Sequence, residues 1–456
     1  MKFFIVCPRG LETPLAEELK EISERAEVKS LGAWVIDPPP PNNTGGLGVA
    51  GPTSVALAIN LHSRIASRCL LQMTHVAYRK EDDVYKAVRS LSWEDWFTPE
   101  QTMRVDLTAH RSPLTSLNFV TLRIKDAVCD RLREVKGARP SIDTELPDVC
   151  VQAHLTATHA TVYLDTSGQS LFKRGWRDDK GAAPLKENLA AGILALTGWK
   201  PEQPLFDPMC GSGTFLIEAA YRGLGIPSGS IRAGLLNAKP AEDSAPAAQE
   251  KSEPGKFTRY RPTRVDLVGV DQGFGFQRLK PFNTPDLKKQ WDGLCGVAKK
   301  DIETGLANAN KLKMAACDIN ENMITIVKSN WKRAGLPAQS GVLSNVRQID
   351  ALVAKSPFAD PGVMLFNPPY GERLEIKGGR GARDALPKNN NSPEFMEFLN
   401  QFGKHLKDDF QGWQVDVLTA DMGLPGQLRM KESKRTPLFN GPLECRLFRF
   451  EIKKAQ

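Results

Sequence analysis

No two cysteines in this 456-residue chain are spaced C-x-x-C, and its eight cysteines and six histidines are scattered. Zinc sites draw on closely spaced Cys and His, so neither a structural nor a catalytic metal is expected. Dispersed cysteines in a chain of this size fit a reducing compartment. No apolar run reaches the ~18 residues of a membrane span. The opening Met1-Lys2-Phe3-Phe4-Ile5-Val6-Cys7-Pro8-Arg9-Gly10 holds too short an apolar run for a signal peptide. A cytoplasmic protein without a membrane contact is the expectation. No internal repeat occurs. The glycine motif described below lacks both the lysine of a P-loop and the third glycine of a dinucleotide fingerprint.

What is present is an ordinary globular mix, 41% hydrophobic and 25% charged, with a formal net charge of +8. The length suggests two or three domains of ~100–200 residues each. A basic excess attracts polyanions, because cations near phosphates release condensed counterions.

Along the first ~165 residues, strand and helix patterns interleave as in small α+β modules. Lys2–Val6 reads as a strand, and Leu11, Leu15, Leu19 and Ile22 recur at helical spacing. Pro38–Gly46 suits an exposed loop only. Leu117–Val135 reads as an amphipathic helix with Arg123, Lys125, Arg131 and Arg133 on its outer face. Ser167–Lys180 turns polar and basic. Lys173, Arg174 and Arg177 there surround Trp176, a mix that suits either a linker or a contact with single-stranded nucleic acid. From about Ala183, strands alternate with helices, which implies a parallel, doubly wound sheet. Ser228–Thr263, rich in Ala, Pro, Ser and charge, reads as a disordered insertion, and Lys377–Asn391 as a flexible loop.

Two motifs carry chemistry. Asp207-Pro208-Met209-Cys210-Gly211-Ser212-Gly213-Thr214 follows a strand and opens a helix. Gly211 and Gly213 let the backbone approach a ligand closely. An anionic Asp207 there would repel a phosphate and suits a cationic ligand, such as a sulfonium with an amino-acid tail. The second is Phe366-Asn367-Pro368-Pro369-Tyr370-Gly371-Glu372-Arg373, after the strand Val363–Phe366. Asn367 and the Pro368 carbonyl offer two acceptors that could hold both hydrogens of an exocyclic amino group. Tyr370 offers a ring on which a flipped base can stack. An acid after the next strand would accept from ribose hydroxyls; Asp318, with a helix behind it, is preferred over Asp271. Asp350 is a candidate for an adenine amino group.

Together these residues resemble the class I methyltransferases that act on exocyclic amino groups. Gly371-Glu372-Arg373-Leu374 and Ala183-Pro184-Leu185-Lys186-Glu187-Asn188-Leu189-Ala190-Ala191 narrow the resemblance to the RNA guanine-N2 branch. The chain is similar over nearly its whole length to bacterial large-subunit ribosomal RNA guanine-N2 methyltransferases with a THUMP domain. Arg9-Gly10-Leu11-Glu12, Ser170-Leu171-Phe172-Lys173-Arg174-Gly175-Trp176-Arg177 and Asn440-Gly441-Pro442-Leu443-Glu444-Cys445 carry that likeness. The resemblance implies a ferredoxin-like part at 1–54, a THUMP RNA-binding domain at 55–166, a basic linker at 167–182 and a Rossmann-like methyltransferase domain at 183–456.

It further implies S-adenosylmethionine as methyl donor, held by Asp207, Pro208, Gly211, Gly213, Thr214, Asp318, Asp350 and Asn367. Asn367, Pro368 and Tyr370 would be catalytic. Lys173, Arg174, Trp176 and Arg177 would touch RNA, 23S ribosomal RNA by family, with no obligate protein partner. Asn320 stands where the family often has a second acid. Some relatives carry a second methyltransferase domain, and this sequence stops at Gln456 short of one. The rival readings are an adenine-N6 methyltransferase and a non-catalytic RNA-binding protein.

Overall fold

The computed structural model describes residues 1–40, 44–177, 185–236, 273–368 and 393–454. Two seven-stranded sheets divide the chain. The first runs β1 (Lys2–Val6), β2 (Val35–Ile36), β3 (Gly46–Ala50), β4 (Arg68–Ala77), β5 (Met103–Ala109), β6 (Val149–Leu155) and β7 (His159–Asp165). Its spatial order is β2-β3-β1-β4-β7-β6-β5, antiparallel except for the parallel pair β5–β6. Period-2 alternation explains the strands: Phe3 and Ile5 in β1, and Ala160, Val162 and Leu164 in β7, are buried on one face.

The helix Leu117–Lys136 covers part of that face. Ser116 starts it by accepting from the Phe119 N–H, and Gly137 ends it in the left-handed region. Val120, Ile124, Val128 and Leu132 form its buried stripe. Its outer cations are tied to neighbours. Arg123 pairs with Asp82 at 3.1 Å and lies 4.0 Å from the Tyr85 ring centroid, and Arg131 pairs with Glu94.

The second sheet holds β8 (Leu205–Asp207), β9 (Met314–Asp318), β10 (Val346–Gln348), β11 (Val363–Phe366), β12 (Gln414–Thr419), β13 (Lys434–Asn440) and β14 (Leu443–Glu451). Its order is β10-β9-β8-β11-β12-β14-β13. The first five run parallel, and β14 closes the set antiparallel to β12. Successive residues of the short apolar strands enter opposite cores. Leu205, Met314 and Leu365 face one side, and Phe206, Ala315 and Met364 the other. Burial on both faces is the mark of a parallel sheet wrapped by helices.

The expectation of disorder from Ser228 fails at its start. Ser228, Ser230, Ile231 and Arg232 are buried. Ser228 Oγ donates to the Ser63 carbonyl at 2.6 Å, and Arg232 donates to the Gln169, Ser170 and Lys173 carbonyls at 2.9–3.1 Å. Polar composition here answers buried carbonyls instead of solvent. Residues 237–263, Asp271 and 377–391 lie outside the described residues.

Candidate active site

The order of the second sheet reverses at β8, with β9 on one side and β11 on the other. Crevices at the carboxyl ends of strands beside such a reversal take ligands. Asp207 ends β8, Asp318 ends β9 and Asn367 follows β11, so three sequence-predicted residues share that edge.

The turn after β8 is shaped by its glycines. Gly211 has φ +50° and Gly213 φ +80°, and Gly213 leads directly into the helix Thr214–Gly223. A Cβ on Gly213 would stand 2.9 Å from Val327 Cγ1, so only glycine fits. A Cβ on Gly211 would meet open space, which leaves the turn's outer side accessible to a ligand. The Gly211 N–H donates to Asp318 Oδ2 at 3.0 Å, which ties the turn to the end of β9.

Asp207 is buried and accepts from the Met209 N–H at 3.2 Å. Burial pushes its carboxyl well above the usual range, and the charge of Asp318 adds to the rise. Neither carboxylate has an ion-pair partner among the described residues. A buried acid of this kind suits a cation brought by a ligand. Asn320 uses its side chain to accept the Asn322 N–H at 3.0 Å, capping the helix Glu321–Arg333. Asp350, half-exposed after β10, accepts from the Leu352 N–H at 2.9 Å.

Asn367 is half-buried and Pro368 buried. The Asn367 side-chain oxygen is buried with no hydrogen-bond partner among the described residues. An unmet buried acceptor is costly, and this one is free to take a donor from a ligand as far as the described residues go. Tyr370 lies outside the described residues, as do Pro369, residues 371–374, Ala183 and Pro184.

The cluster expected on RNA divides. Lys173 is exposed. Arg174 and Trp176 are buried at 3% and 0% exposure, so neither presents its side chain to a polymer. Arg174 pairs with Glu218 at 3.2 Å and donates to the Leu171 carbonyl at 2.8 Å. Arg177 pairs with Glu187 at 2.8 Å and reaches the glycine turn, donating to Ser212 Oγ and Thr214 Oγ1 at 2.8 Å each. Cations around an aromatic can serve a buried brace as readily as a stacking surface, and composition does not separate the two.

Two residues escaped the sequence reading. Ile319, 67% exposed, follows Asp318 directly and offers an apolar face beside the expected nucleoside position. Asn330, 2% exposed, donates to the Ser212 carbonyl at 3.1 Å. The only sequence signal for either is its place in or beside the helix after β9. Among the described residues, no group of three or more His, Cys, Asp or Glu could hold a metal ion. No helix among them is long and apolar enough to cross a membrane.

Counting from β8, the strands run 3-2-1-4-5-7-6, and with the glycine turn and the strand-end acids this is a class I methyltransferase fold preceded by an α+β module. The family described as RMKL-like, methyltransferase domain, matches residues 174–449, and the THUMP domain family matches 78–165. The chain belongs to the RMKL-like methyltransferase family and carries a THUMP domain.

A Synechocystis protein described as a candidate RNA methyltransferase is 31% identical over 450 residues, covering 99% of this chain and 96% of that protein. The ribosomal RNA large subunit methyltransferase K/L of Methylococcus capsulatus is 33% identical over 99% of this chain and 51% of its own length. That of Aeromonas hydrophila is 30% identical over 99% of this chain and 54% of its own. The chain thus spans about half the length of these K/L relatives. Among solved structures, a candidate methyltransferase complexed with SAH, SMU.472, superposes with a TM-score of 0.71 at 22% identity, over 100% of this chain and 99% of that one. TrmN from Thermus thermophilus gives a TM-score of 0.58 at 16% identity over 99% of each chain. At those identities the structures speak for the fold.

Proposed function

We propose that this chain transfers a methyl group from S-adenosylmethionine to the exocyclic N2 of a guanine in large-subunit (23S) ribosomal RNA. It would act in the cytoplasm and without an obligate protein partner. The observation that carries the reading is the Asn367 acceptor, without a partner among the described residues, on the same sheet edge as Asp207, Asp318 and the glycine turn. The substrate assignment follows the names of the K/L relatives and the THUMP match.

The residues present fit the donor. The open side of Gly211, the strand-end Asp318 and a buried Asp207 with no cation partner among the described residues match a nucleoside bearing a sulfonium and an amino-acid tail. When bound, S-adenosylmethionine supplies an electrophilic methyl. Asp318 would accept from its ribose hydroxyls, Asp350 from its adenine amino group, and Asp207 would balance the donor's positive end. Pro208, Gly213 and Thr214 shape the turn beneath it.

An aryl amine is a poor nucleophile because its lone pair is drawn into the ring. Asn367 Oδ1 and the Pro368 carbonyl would each hold one amino hydrogen and aim the nitrogen at the methyl. Positioning of this kind can supply much of the barrier reduction. Tyr370 would stack on the base once it has left its helix. The proton leaves after the nitrogen has become cationic, so no strong base is needed.

Methyl-labelled donor and ribosomal RNA from cells lacking the protein provide the test, read by nucleoside chromatography. Label in N2-methylguanosine of large-subunit RNA is expected. Label in N6-methyladenosine would overturn the base assignment. No label, with donor binding intact, would favour a non-catalytic RNA-binding protein.

A further inference from the structure

We propose that Arg177 is a positioning residue for donor binding, holding the glycine turn in its ligand-ready shape from a segment outside the methyl-transfer sheet. The inference rests on the donor-site reading above.

A turn with two left-handed glycines has little preference of its own for one shape. It must be held from outside. Asn330 grips the Ser212 carbonyl and Asp318 grips the Gly211 N–H. The side chains of the turn are gripped by Arg177. Its guanidinium donates from Nη1 to Ser212 Oγ and from Nη2 to Thr214 Oγ1, both at 2.8 Å. Nη2 also reaches the Leu185 carbonyl at 3.2 Å, and Nε meets Glu187 Oε1 at 2.8 Å. A planar fork with several donors can span this many acceptors; an ammonium cannot.

The arm itself is fixed. Arg177 lies 4.9 Å from the ring centroid of the fully buried Trp176. Three residues earlier, Arg174 holds Glu218, which is one helical turn beyond Thr214 on the same face of the helix. The segment therefore lies along this helix from its first residue. Glu187 balances the Arg177 charge locally, so the latch adds no net repulsion toward a cationic donor.

A turn that must be ordered by the ligand binds more weakly in proportion to the time it spends unformed. Calorimetric titration with S-adenosylhomocysteine tests the latch on the full chain. Arg177→Ala is expected to raise Kd by about 10-fold or more, with kcat at saturating donor and RNA changed by less than about 3-fold. Arg177→Lys is expected to recover only part of the affinity. Ser212→Ala and Thr214→Val should each weaken binding, and Ser212→Ala should add little once Arg177 is alanine. A folded Arg177→Ala variant with wild-type Kd overturns the latch. If that variant does not fold, unchanged Kd in both Ser212→Ala and Thr214→Val overturns it instead. Failure of the wild type to bind S-adenosylhomocysteine would remove the donor-site reading itself and the latch with it.

Discussion

Asp207 ends β8 almost wholly buried, and its carboxyl is pushed up by that burial and by Asp318. An acid whose folded pKa is raised favours the folded state in its protonated form. Its contribution is present at low pH and is lost as pH rises through the raised value. At neutral pH, Asp207→Asn should therefore stabilise the ligand-free protein, by about 0.5–2 kcal/mol in chemical denaturation. The same change should abolish measurable donor binding. A variant that is less stable and binds donor normally would contradict the role given to this acid. The gathering of Asp207, Gly211, Gly213 and Asn367 at one sheet edge was legible in the sequence, because each ends or follows an apolar strand pattern. Arg174 and Trp176 are buried where the resemblance implies an RNA contact, and that burial depends on Glu218 and on neighbours far away in sequence.

At the scale of elements, the Arg174–Glu218 pair fastens the segment after β7 to the helix Thr214–Gly223 with both side chains at or below 1% exposure. Removing one partner leaves a charge buried without its mate, at a cost of about 3–5 kcal/mol. Arg174→Met should lower stability on that scale, while Arg174→Met combined with Glu218→Leu should recover much of it. A single variant that melts like the wild type would contradict a buried pair here. Elements with local signals were readable. The helix Leu117–Lys136 has its Ser116 cap, its apolar stripe and its terminal Gly137 in plain sequence. The stretch 228–236 was not readable, because its order comes from Ser63 and from carbonyls at 169–173.

At the scale of the molecule, the two sheets share one core. Leu11, Leu15 and Val55 from the first part and Leu189, Ile193 and Leu216 from the second belong to a single buried cluster. Leu11 packs so tightly on the helix Glu187–Thr197 that a Cβ on Gly192 would lie 2.3 Å from Leu11 Cδ1. Arg9 sits 4.6 Å from the Phe439 ring centroid. Unfolding should therefore be one cooperative transition, shifted as a whole by donor, which adds about 2.7 kcal/mol at a hundredfold excess over Kd. Two calorimetric transitions, with only one moved by donor, would contradict a shared core. Strand order and this docking were beyond sequence reading, since both rest on pairings between residues far apart in the chain.

The proposed role of Asn367 is to aim an amino group at the donor's methyl. Its most direct test is Asn367→Ala, with single-turnover methyl transfer and donor titration measured on the same preparation. Loss of one positioned hydrogen-bonding group costs about 10²–10³ in turnover. A fall of that size is expected, with donor Kd within about 3-fold of wild type, because Asp207 and Asp318 would carry most of the donor contacts. Wild-type turnover in Asn367→Ala, or a loss wholly explained by weaker donor binding, would contradict it.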